Sequence, residues 1–301
     1  MAELTAAQIE FFREQGYLVA PGVIPAGVVE ALQVEIDAAI DRQAHVLLAA
    51  SKITALHADQ GFLHRATAIA AECREILAPV DGGRHSGPAM FGLLTCPELL
   101  DVVGQLVGPE IVASSVYRIR PKLPFRPEGD VPWHQDSGYF HTMGDAHLIL
   151  TCWVPLMNAT VSAGCMEVVP RSHRHGVVRH YWAEVPAPPL TVHPDHLPPS
   201  DPVPVPADLG DVVLLSNLTC HRSTPNTAGV IRWAADLRYN APEAGDYYPN
   251  EAGFLARSKS HPDQVLRDAA AFDRLRREHR PAGAVDRTWL KQAEETFVKK
   301  P

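Results

Sequence analysis

The stretch Trp133-His134-Gln135-Asp136 places a histidine and a carboxylate two residues apart, in a segment that the sequence predicts to be extended. Side chains at positions i and i+2 of a strand point to the same face of a sheet. The imidazole of His134 and the carboxylate of Asp136 could therefore bind one metal ion from a single strand. Two ligands do not complete a metal site, so a third ligand is expected elsewhere in the chain.

The candidate for the third ligand is His221, near the end of a β-rich run over residues 212–223. The run follows a Gly210-Asp211 turn signal, and its apolar character predicts one buried strand. Two histidines and one carboxylate form the facial triad of non-haem Fe(II) oxygenases, which leaves coordination positions open for a co-substrate and dioxygen. Hydrolytic zinc sites use the same side-chain types, so the ligand set alone leaves the metal open.

The position of Arg232 favours the oxygenase interpretation. A second β-like run, residues 230–239, follows a turn cluster after the first run. If the two runs form a hairpin centred on the middle of that turn, His221 lies directly opposite Arg232, with Cβ atoms roughly 5 Å apart. The guanidinium could then hold the distal carboxylate of a 2-oxoacid co-substrate, and Ser223 on the same strand face could add a hydroxyl. A surface cross-strand arginine is the alternative interpretation.

Several segments together resemble the phytanoyl-CoA dioxygenase family of Fe(II)/2-oxoglutarate-dependent oxygenases, over nearly the whole chain. Each segment is weak alone, but their order along the chain is specific. Relatives usually carry glycine where this chain has Arg171. The matching segments are residues 4–19, the Trp133–Asp136 run, Cys152–Leu156, Gly164–His173, the pattern His221-x-Ser223-x-Pro225-Asn226, and Arg232-Trp233.

The resemblance implies a role for each site residue. It implies three iron ligands, namely His134, Asp136 and His221. It implies two residues that bind the far carboxylate of 2-oxoglutarate, namely Arg232 and Ser223. It implies three residues that line the co-substrate pocket, namely Gln135, Thr151 and Trp153. Halogenating relatives replace the carboxylate ligand with a small residue, so Asp136 predicts hydroxylation or a related oxidation.

The composition is that of a globular protein with a sizeable core. The chain has 301 residues, of which 46% are hydrophobic and 21% charged, and its net charge is −8. No block of lysine and arginine stands out, so we expect no nucleic-acid partner. The N-terminus lacks a basic region followed by an apolar run, and no stretch of 18 apolar residues occurs, so we expect no signal peptide and no membrane span.

The five cysteines show no paired spacing. An odd, scattered set predicts reduced thiols and a cytoplasmic protein. Cys152, Cys165 and Cys220 lie in apolar segments and are expected to act as small buried hydrophobes. Cys220 neighbours His221 but should point to the opposite face of the strand, so it is not counted as a ligand.

The order of elements predicts one domain over residues 1–301. Residues 1–110 are expected to form a mostly helical buttress and residues 111–240 a jelly-roll core, in which segment 186–206, with nine prolines, is an insertion over one end. Residues 241–301 are expected to be a loop and a charged helix. The fold class is therefore mainly β with flanking helices, a cupin-like double-stranded β-helix.

We expect an oxygenase that uses Fe(II), 2-oxoglutarate and O2 to hydroxylate an unactivated C–H bond of a small molecule, with release of succinate and CO2. Two alternatives stay open. One is a non-catalytic jelly-roll protein that binds metal and 2-oxoglutarate, against which the intact site residues count. The other is a zinc hydrolase on the same triad, which gives no reason for Arg232. No protein partner is implied.

Some side chains beside the Trp133–Asp136 run are expected to face the substrate, although the basic ones are better explained as a solvated loop. These side chains are Tyr117, Arg118, Arg120, Lys122, Tyr139, Phe140, His141 and His147. His173 and His175 fall in a segment typical of a structural turn after a strand, so they are not expected to bind metal.

Overall fold

The computed structural model describes residues 3–81, 85–114, 116–126, 130–182, 190–192, 194–245, 247 and 253–278. Within these described residues, five α-helices precede residue 108 and a sixth follows the last strand. The helices are α1 (Ala6–Gln15), α2 (Ala26–Ala49), α3 (Phe62–Glu72), α4 (Pro88–Leu94), α5 (Pro97–Val107) and α6 (Ala269–Glu278).

Local sequence signals account for the first two helices. Thr5 and Gln8 form a reciprocal capping box at the start of α1. Gly16 ends α1 with a left-handed φ of 81°, and a Cβ at this position would lie 2.3 Å from the Nδ1 atom of His173. Only glycine fits both demands. In α2, the apolar residues at helical spacing, Val29, Leu32, Ile36 and Ile40, are all buried.

Twelve strands lie in the part of the chain that the structure describes, and their pairing is antiparallel. A seven-stranded sheet has the order β1-β9-β4-β11-β2-β12, with β3 also paired to β11. A three-stranded sheet has the order β10-β5-β8, and β6 pairs with β7. The large sheet comprises β1 (Tyr17–Ala20), β2 (Ile111–Ala113), β3 (Arg118–Ile119), β4 (Ile149–Pro155), β9 (Val212–Ser216), β11 (Ala234–Asn240) and β12 (Phe254–Arg257). The others are β5 (Met166–Val168), β6 (His180–Trp182), β7 (Leu190–Val192), β8 (Val203–Val205) and β10 (His221–Ser223).

The two faces of the large sheet have different partners. On β11, Leu237 and Tyr239 belong to the main core, which the sheet forms with the helices. On β4, Trp153 points to the other face and packs with Met166 and Val168 of the small sheet. Because alternate residues of a strand point to opposite faces, one side of the large sheet faces helices and the other faces the small sheet. The fold class is therefore confirmed as a jelly-roll type with flanking helices.

One sequence prediction needs refinement and another is wrong. The mostly helical buttress predicted over residues 1–110 also contains a strand, since Tyr17–Ala20 forms β1 and pairs with β9 at the edge of the large sheet. The run 212–223 is not one strand. It divides into β9 in the large sheet and β10 in the small sheet, with residues 217–220 between them. The change of sheet at this turn decides where His221 and Arg232 lie.

The proline-rich insertion contains more structure than predicted. Within residues 186–206, β7 pairs with β6, and β8 forms an edge of the small sheet with Pro204 inside it. An edge strand tolerates proline because one side of its backbone needs no ladder hydrogen bonds. Residues 186–189 and 193 lie outside the described residues. The charged helix predicted within residues 241–301 corresponds to α6, and residues 279–301 lie outside the described part.

One segment, Pro88–Val107, is long and apolar enough by composition to cross a membrane, and half of it is buried inside the protein. It is two helices, α4 and α5, because the chain breaks helical structure at Thr95 and Cys96. Side chains from both helices, such as Leu93 and Leu99, are fully buried in the main core. This burial is the ordinary reason for an apolar helix pair in a globular fold. All five cysteines are free thiols, and Cys152, Cys165 and Cys220 are buried, as predicted.

Candidate metal centre

His134 and His221 lie directly opposite each other. They form an isolated antiparallel bridge, in which each backbone N–H donates to the carbonyl of the other at 3.0 and 2.9 Å. Directly opposed residues place their side chains on the same face. The two imidazole ring centroids are accordingly 4.1 Å apart.

The Asp136 carboxylate lies close to the histidines, although Asp136 is not part of a strand. Gln135 is extended, with φ −111° and ψ 145°, and Asp136 then begins a short 3-10 helix, residues 136–139. The prediction that one strand carries both ligands is therefore wrong, because His134 forms an isolated bridge and Asp136 begins a 3-10 helix. Because Gln135 is extended, the Asp136 carboxylate still returns to the side of His134, and its Oδ1 atom is 3.9 Å from Nε2.

The three side chains fit a metal ion. One donor atom from each of His134, Asp136 and His221 lies within 4.8 Å of the others, and all three residues are buried. In the part of the chain that the structure describes, this is the one group of three or more such residues close enough to share an ion. His173, by contrast, bonds through Nε2 to the carbonyl of Arg13 at 3.1 Å, consistent with a structural turn.

Backbone carbonyls fix the tautomer of both histidines. The Nδ1 atom of His134 donates to the Pro132 carbonyl, and Nδ1 of His221 donates to the Thr219 carbonyl, each at 2.9 Å. Hydrogen bonds of this kind orient a ligating imidazole and leave its Nε2 lone pair for the metal. Burial lowers the pKa of His134 to about 3, so the ring is neutral, as metal binding requires.

The Asp136 carboxylate is held by two residues on neighbouring strands. Arg238 of β11 donates from Nη2 to Oδ1 at 2.9 Å and from Nε to Oδ2 at 3.2 Å. Thr151 of β4 donates its hydroxyl to Oδ2. Burial alone would raise the pKa of Asp136, but the adjacent guanidinium of Arg238 outweighs it and holds that pKa well below its usual value.

Thr151 and Arg238 differ from expectation. Thr151 was predicted to line the co-substrate pocket, whereas its hydroxyl supports the carboxylate of the predicted metal ligand. Arg238 was not predicted at all. The available signal was the alternation in β11, where the charged residues Asp236 and Arg238 alternate with apolar Ala235, Leu237 and Tyr239.

Arg232 does not lie opposite His221, and the predicted hairpin register is wrong. His221 pairs with His134 and, in the small sheet, with Val168. Arg232 pairs with Lys122, just before β11 of the large sheet. The physical reason is the sheet change after β9, which separates the two runs that a simple hairpin would have paired.

The surroundings of Arg232 nevertheless suit an anionic ligand. Its side chain is only 3% exposed, and its guanidinium lies 5.2 Å from the ring centroid of Trp153. Its Nη1 atom donates to the Arg120 carbonyl at 3.5 Å, and its Nε has no hydrogen-bond partner in the part of the chain that the structure describes. Among the described residues, no carboxylate forms an ion pair with it. Burial lowers the pKa of Arg232 to about 10, and a buried guanidinium without an anion is costly.

Two more polar residues lie beside Arg232. Lys122 is 2% exposed, and its ammonium donates to the Asp130 carboxylate and, at 2.8 Å, to the Ser223 hydroxyl. The same hydroxyl accepts the Val131 N–H at 3.0 Å, which leaves its own hydrogen available to a ligand. The assignment of Lys122 to a solvated loop is therefore wrong, because its pairing with Arg232 places it inside the protein.

Gln135 and Trp153, both predicted to line the co-substrate pocket, have different surroundings. The Gln135 amide donates to the carbonyls of Gly176 and Leu218 at 2.8 and 2.6 Å and accepts the N–H of Val178 at 2.8 Å. This side chain is fully engaged with backbone groups, which argues for a structural brace in place of the predicted pocket role. Trp153 lies against Arg232, which suits the role that the sequence assigned to it.

The other side chains that were expected near the substrate differ in their surroundings. The Tyr139 ring lies edge-on to His134, with centroids 5.8 Å apart, and Phe140 lies 5.7 Å from the Arg238 guanidinium. His141 and His147 are exposed instead. Arg120 is partly exposed and forms an ion pair with Asp236 at 3.0 Å.

Fold and site together define a jelly-roll protein with a buried centre of two histidines and one carboxylate. The family model described as Phytanoyl-CoA dioxygenase (PhyH) matches residues 12–234, and the chain belongs to that family. Three known proteins are similar to the chain in sequence. "Phytanoyl-CoA dioxygenase domain-containing protein 1" of Bos taurus is 23% identical over 268 residues, which cover 78% of this chain and 89% of the relative.

The other two matches are shorter. "Phytanoyl-CoA dioxygenase domain-containing protein 1 homolog" of Dictyostelium discoideum is 29% identical over 129 residues, or 41% of this chain and 45% of that protein. "Methylphosphonate hydroxylase" of Gimesia maris is 26% identical over 154 residues, or 51% and 55%. The chain thus spans less than half the length of the Dictyostelium relative.

Among solved structures, the non-heme alpha ketoglutarate dependent carbocyclase SnoK from nogalamycin biosynthesis has a TM-score of 0.53 at 22% identity, covering 88% of this chain and 94% of its own. The alpha ketoglutarate dependent epimerase SnoN from the same biosynthesis has a TM-score of 0.50 at 21% identity, covering 78% and 81%. At these identities the likeness establishes the shared fold.

Proposed function

We propose that the protein is a non-haem Fe(II)/2-oxoglutarate-dependent dioxygenase that hydroxylates an unactivated C–H bond of a small molecule and releases succinate and CO2. The observation that carries the proposal is the combination of the buried triad with Arg232, a buried arginine that has no carboxylate partner among the described residues. A zinc hydrolase would use the triad but would have no use for that arginine.

His134, Asp136 and His221 would hold the iron. Three protein ligands on one side leave the opposite side of the ion for other ligands. When bound, iron together with 2-oxoglutarate and dioxygen supplies the oxidising chemistry. The chain supplies two imidazoles, oriented by the carbonyls of Pro132 and Thr219, and one ionised carboxylate.

The far carboxylate of 2-oxoglutarate would bind between three residues, Arg232, Ser223 and Lys122. Arg232 offers an Nε–H that has no acceptor among the residues the structure describes, and Ser223 offers a hydroxyl hydrogen. Lys122 adds a second buried positive charge, although Asp130 partly neutralises it. A carboxylate in this place would relieve the cost of burying the guanidinium, which is a direct physical source of binding energy.

Anaerobic titration with Fe(II) and 2-oxoglutarate tests this proposal, since the chelate has a weak visible charge-transfer band. We expect the band in the wild-type protein and its loss in His134→Ala. Tight zinc binding with no band would contradict the proposal and direct attention to hydrolysis. Turnover is then tested by substrate-stimulated succinate formation over a panel that includes methylphosphonate, the compound named for the Gimesia maris relative.

The same panel tests the second candidate, a non-catalytic protein that binds metal and 2-oxoglutarate. Such a protein would form the charge-transfer band and yet show no substrate-stimulated succinate with any compound. We also propose a cytoplasmic location, supported by five cysteines that are all free thiols. The partner that we propose is a small-molecule substrate.

A further inference from the structure

The hydrogen bonds to Asp136 are distributed unequally between its two oxygens. Among the described residues, Oδ2 accepts from Nε of Arg238 and from the hydroxyl of Thr151, whereas Oδ1 accepts only from Nη2 of Arg238. A carboxylate oxygen has about two acceptor directions. Both directions at Oδ2 are therefore occupied, and one direction at Oδ1 remains free. Oδ1 is also the oxygen that lies 3.9 Å from Nε2 of His134.

We propose that Arg238 and Thr151 are positioning residues that restrict Asp136 to binding the metal through Oδ1 alone. The Arg238 guanidinium is then a preorganised binding site for a carboxylate at this position, the carboxylate seat. The inference rests on the proposed metal centre. It assigns to Arg238 a role that is distinct from that of Arg232, which serves the co-substrate.

Arg238 is fixed by groups other than Asp136. Its Nη1 atom donates to the Val116 carbonyl at 3.1 Å, and its Nη2 lies 3.6 Å from the Asp236 carboxylate. The guanidinium also lies 5.7 Å from the ring centroid of Phe140. Asp236 is in turn held by Arg120 at 3.0 Å. Because these contacts do not involve Asp136, we expect the Arg238 guanidinium to keep its orientation when the Asp136 carboxylate is removed.

The strand register places the second donor beside the first. Thr151 of β4 is the direct cross-strand partner of Arg238 on β11, and both belong to the sheet face that looks toward the triad. Their donors therefore reach Asp136 from adjacent positions on one rigid sheet. Such a support fixes the direction of a ligand better than a loop does.

Restriction to one oxygen matters for the number of open coordination positions. A carboxylate that binds through both oxygens takes two positions on the metal. A facial triad needs three protein ligand atoms only, so that a chelating co-substrate and dioxygen can share the other side. Holding Oδ2 in hydrogen bonds keeps it from becoming a fourth protein ligand.

The test uses formate as a carboxylate that is free of the chain, and Co(II), whose visible absorption reports its coordination. We expect Asp136→Gly to bind Co(II) about tenfold more weakly than wild type or worse, and formate to restore most of that affinity. Formate should fail to do so in Asp136→Gly/Arg238→Met. The matched control is Asp136→Gly/Arg232→Met, which keeps the seat, removes another buried arginine, and should still be rescued.

Equal rescue with and without Arg238 would overturn the carboxylate seat. Absence of Co(II) binding in the wild type would instead overturn the metal centre, so the two failures are distinguishable. If the double variants do not fold, the single variants decide. Arg238→Met should change the Co(II) spectrum of the otherwise intact site as Oδ2 is released, and Thr151→Val should change it in the same direction by less. A wild-type spectrum in folded Arg238→Met would contradict the proposal.

Discussion

Arg232 and Lys122 exchange two backbone hydrogen bonds, of 3.0 and 2.8 Å, and so bring two buried cationic side chains to one place. Lys122 reaches the hydroxyl of Ser223, which is two residues beyond His221, one of the three proposed metal ligands. The positive charge of this cluster thus lies beside the triad although Arg232 is not paired with His221. Its placement underlies the first two predictions.

Replacing Arg232 with methionine should weaken 2-oxoglutarate binding by about tenfold or more, because charge-assisted hydrogen bonds to a buried carboxylate are lost. Metal affinity should be retained, since Arg232 contacts none of the three proposed ligands. The measurement is the anaerobic titration of the Fe(II) protein with 2-oxoglutarate. Arg222→Met is a matched control, because that arginine is partly exposed and pairs with Glu167 at the surface of β10. An unchanged affinity in Arg232→Met would show that this residue does not bind the co-substrate.

Replacing Lys122 with methionine should also weaken 2-oxoglutarate binding, and Ser223→Ala should weaken it less, because a neutral hydroxyl contributes less than a charged donor. Lys122→Met should lower the thermal midpoint as well, since it removes the partner of Asp130. The measurements are the same titration and a thermal melt. Lys52→Met, which removes an exposed ion pair with Glu75, is the control and should change neither quantity appreciably. A larger effect of Ser223→Ala than of Lys122→Met would contradict this ranking.

The sequence predicts the three candidate ligands because their identity depends on short motifs. His134 and Asp136 are two residues apart, and His221 follows a strand pattern, so local periodicity suffices to select them. The jelly-roll class follows for a similar reason, since helical spacing gives way to short apolar runs after about residue 110. These features are local, and local signals are what a single sequence contains.

The errors concern partners that are distant in the chain. The pairing of His221 with His134 instead of Arg232 depends on a change of sheet after β9, which periodicity does not register. In sequence, Lys122 resembles a surface lysine. It is buried because it pairs with Arg232, which lies 110 residues further along the chain. The role of Arg238 depends on the folded structure, in which strand pairing places Thr151 beside it and the Asp136 carboxylate lies within hydrogen-bond distance.

Glu110 should make the stability of the fold sensitive to acid. Hydrogen bonds from the Ser258 hydroxyl and from the N–H groups of Ser260 and Lys259 lower the pKa of Glu110 to about 2. A carboxyl whose pKa is depressed by folding stabilises the protein above its unfolded pKa, and this contribution is lost as the pH falls toward the folded value. Glu110→Gln should therefore reduce the loss of stability between about pH 5 and pH 2.

The measurement is the free energy of unfolding by denaturant across that pH interval, in Glu110→Gln and in Glu30→Gln. Glu30 lies exposed on α2 and serves as the control, so its variant should follow the wild-type pH dependence. If both variants lose stability on acidification in parallel with the wild type, the hydrogen bonds to the Glu110 carboxylate do not contribute to the acid sensitivity.

Gln135 should support the fold and not the co-substrate. Gln135→Met keeps the size of the side chain but leaves the carbonyls of Gly176 and Leu218 and the N–H of Val178 without their present partners. Buried polar groups without partners cost about 1–3 kcal/mol each, so we expect a thermal midpoint lower by several degrees. The affinity of the folded Fe(II) protein for 2-oxoglutarate should stay within about twofold of wild type, since no atom of the amide is free to bind it. An unchanged midpoint combined with weakened 2-oxoglutarate binding would reverse this assignment and return Gln135 to the pocket.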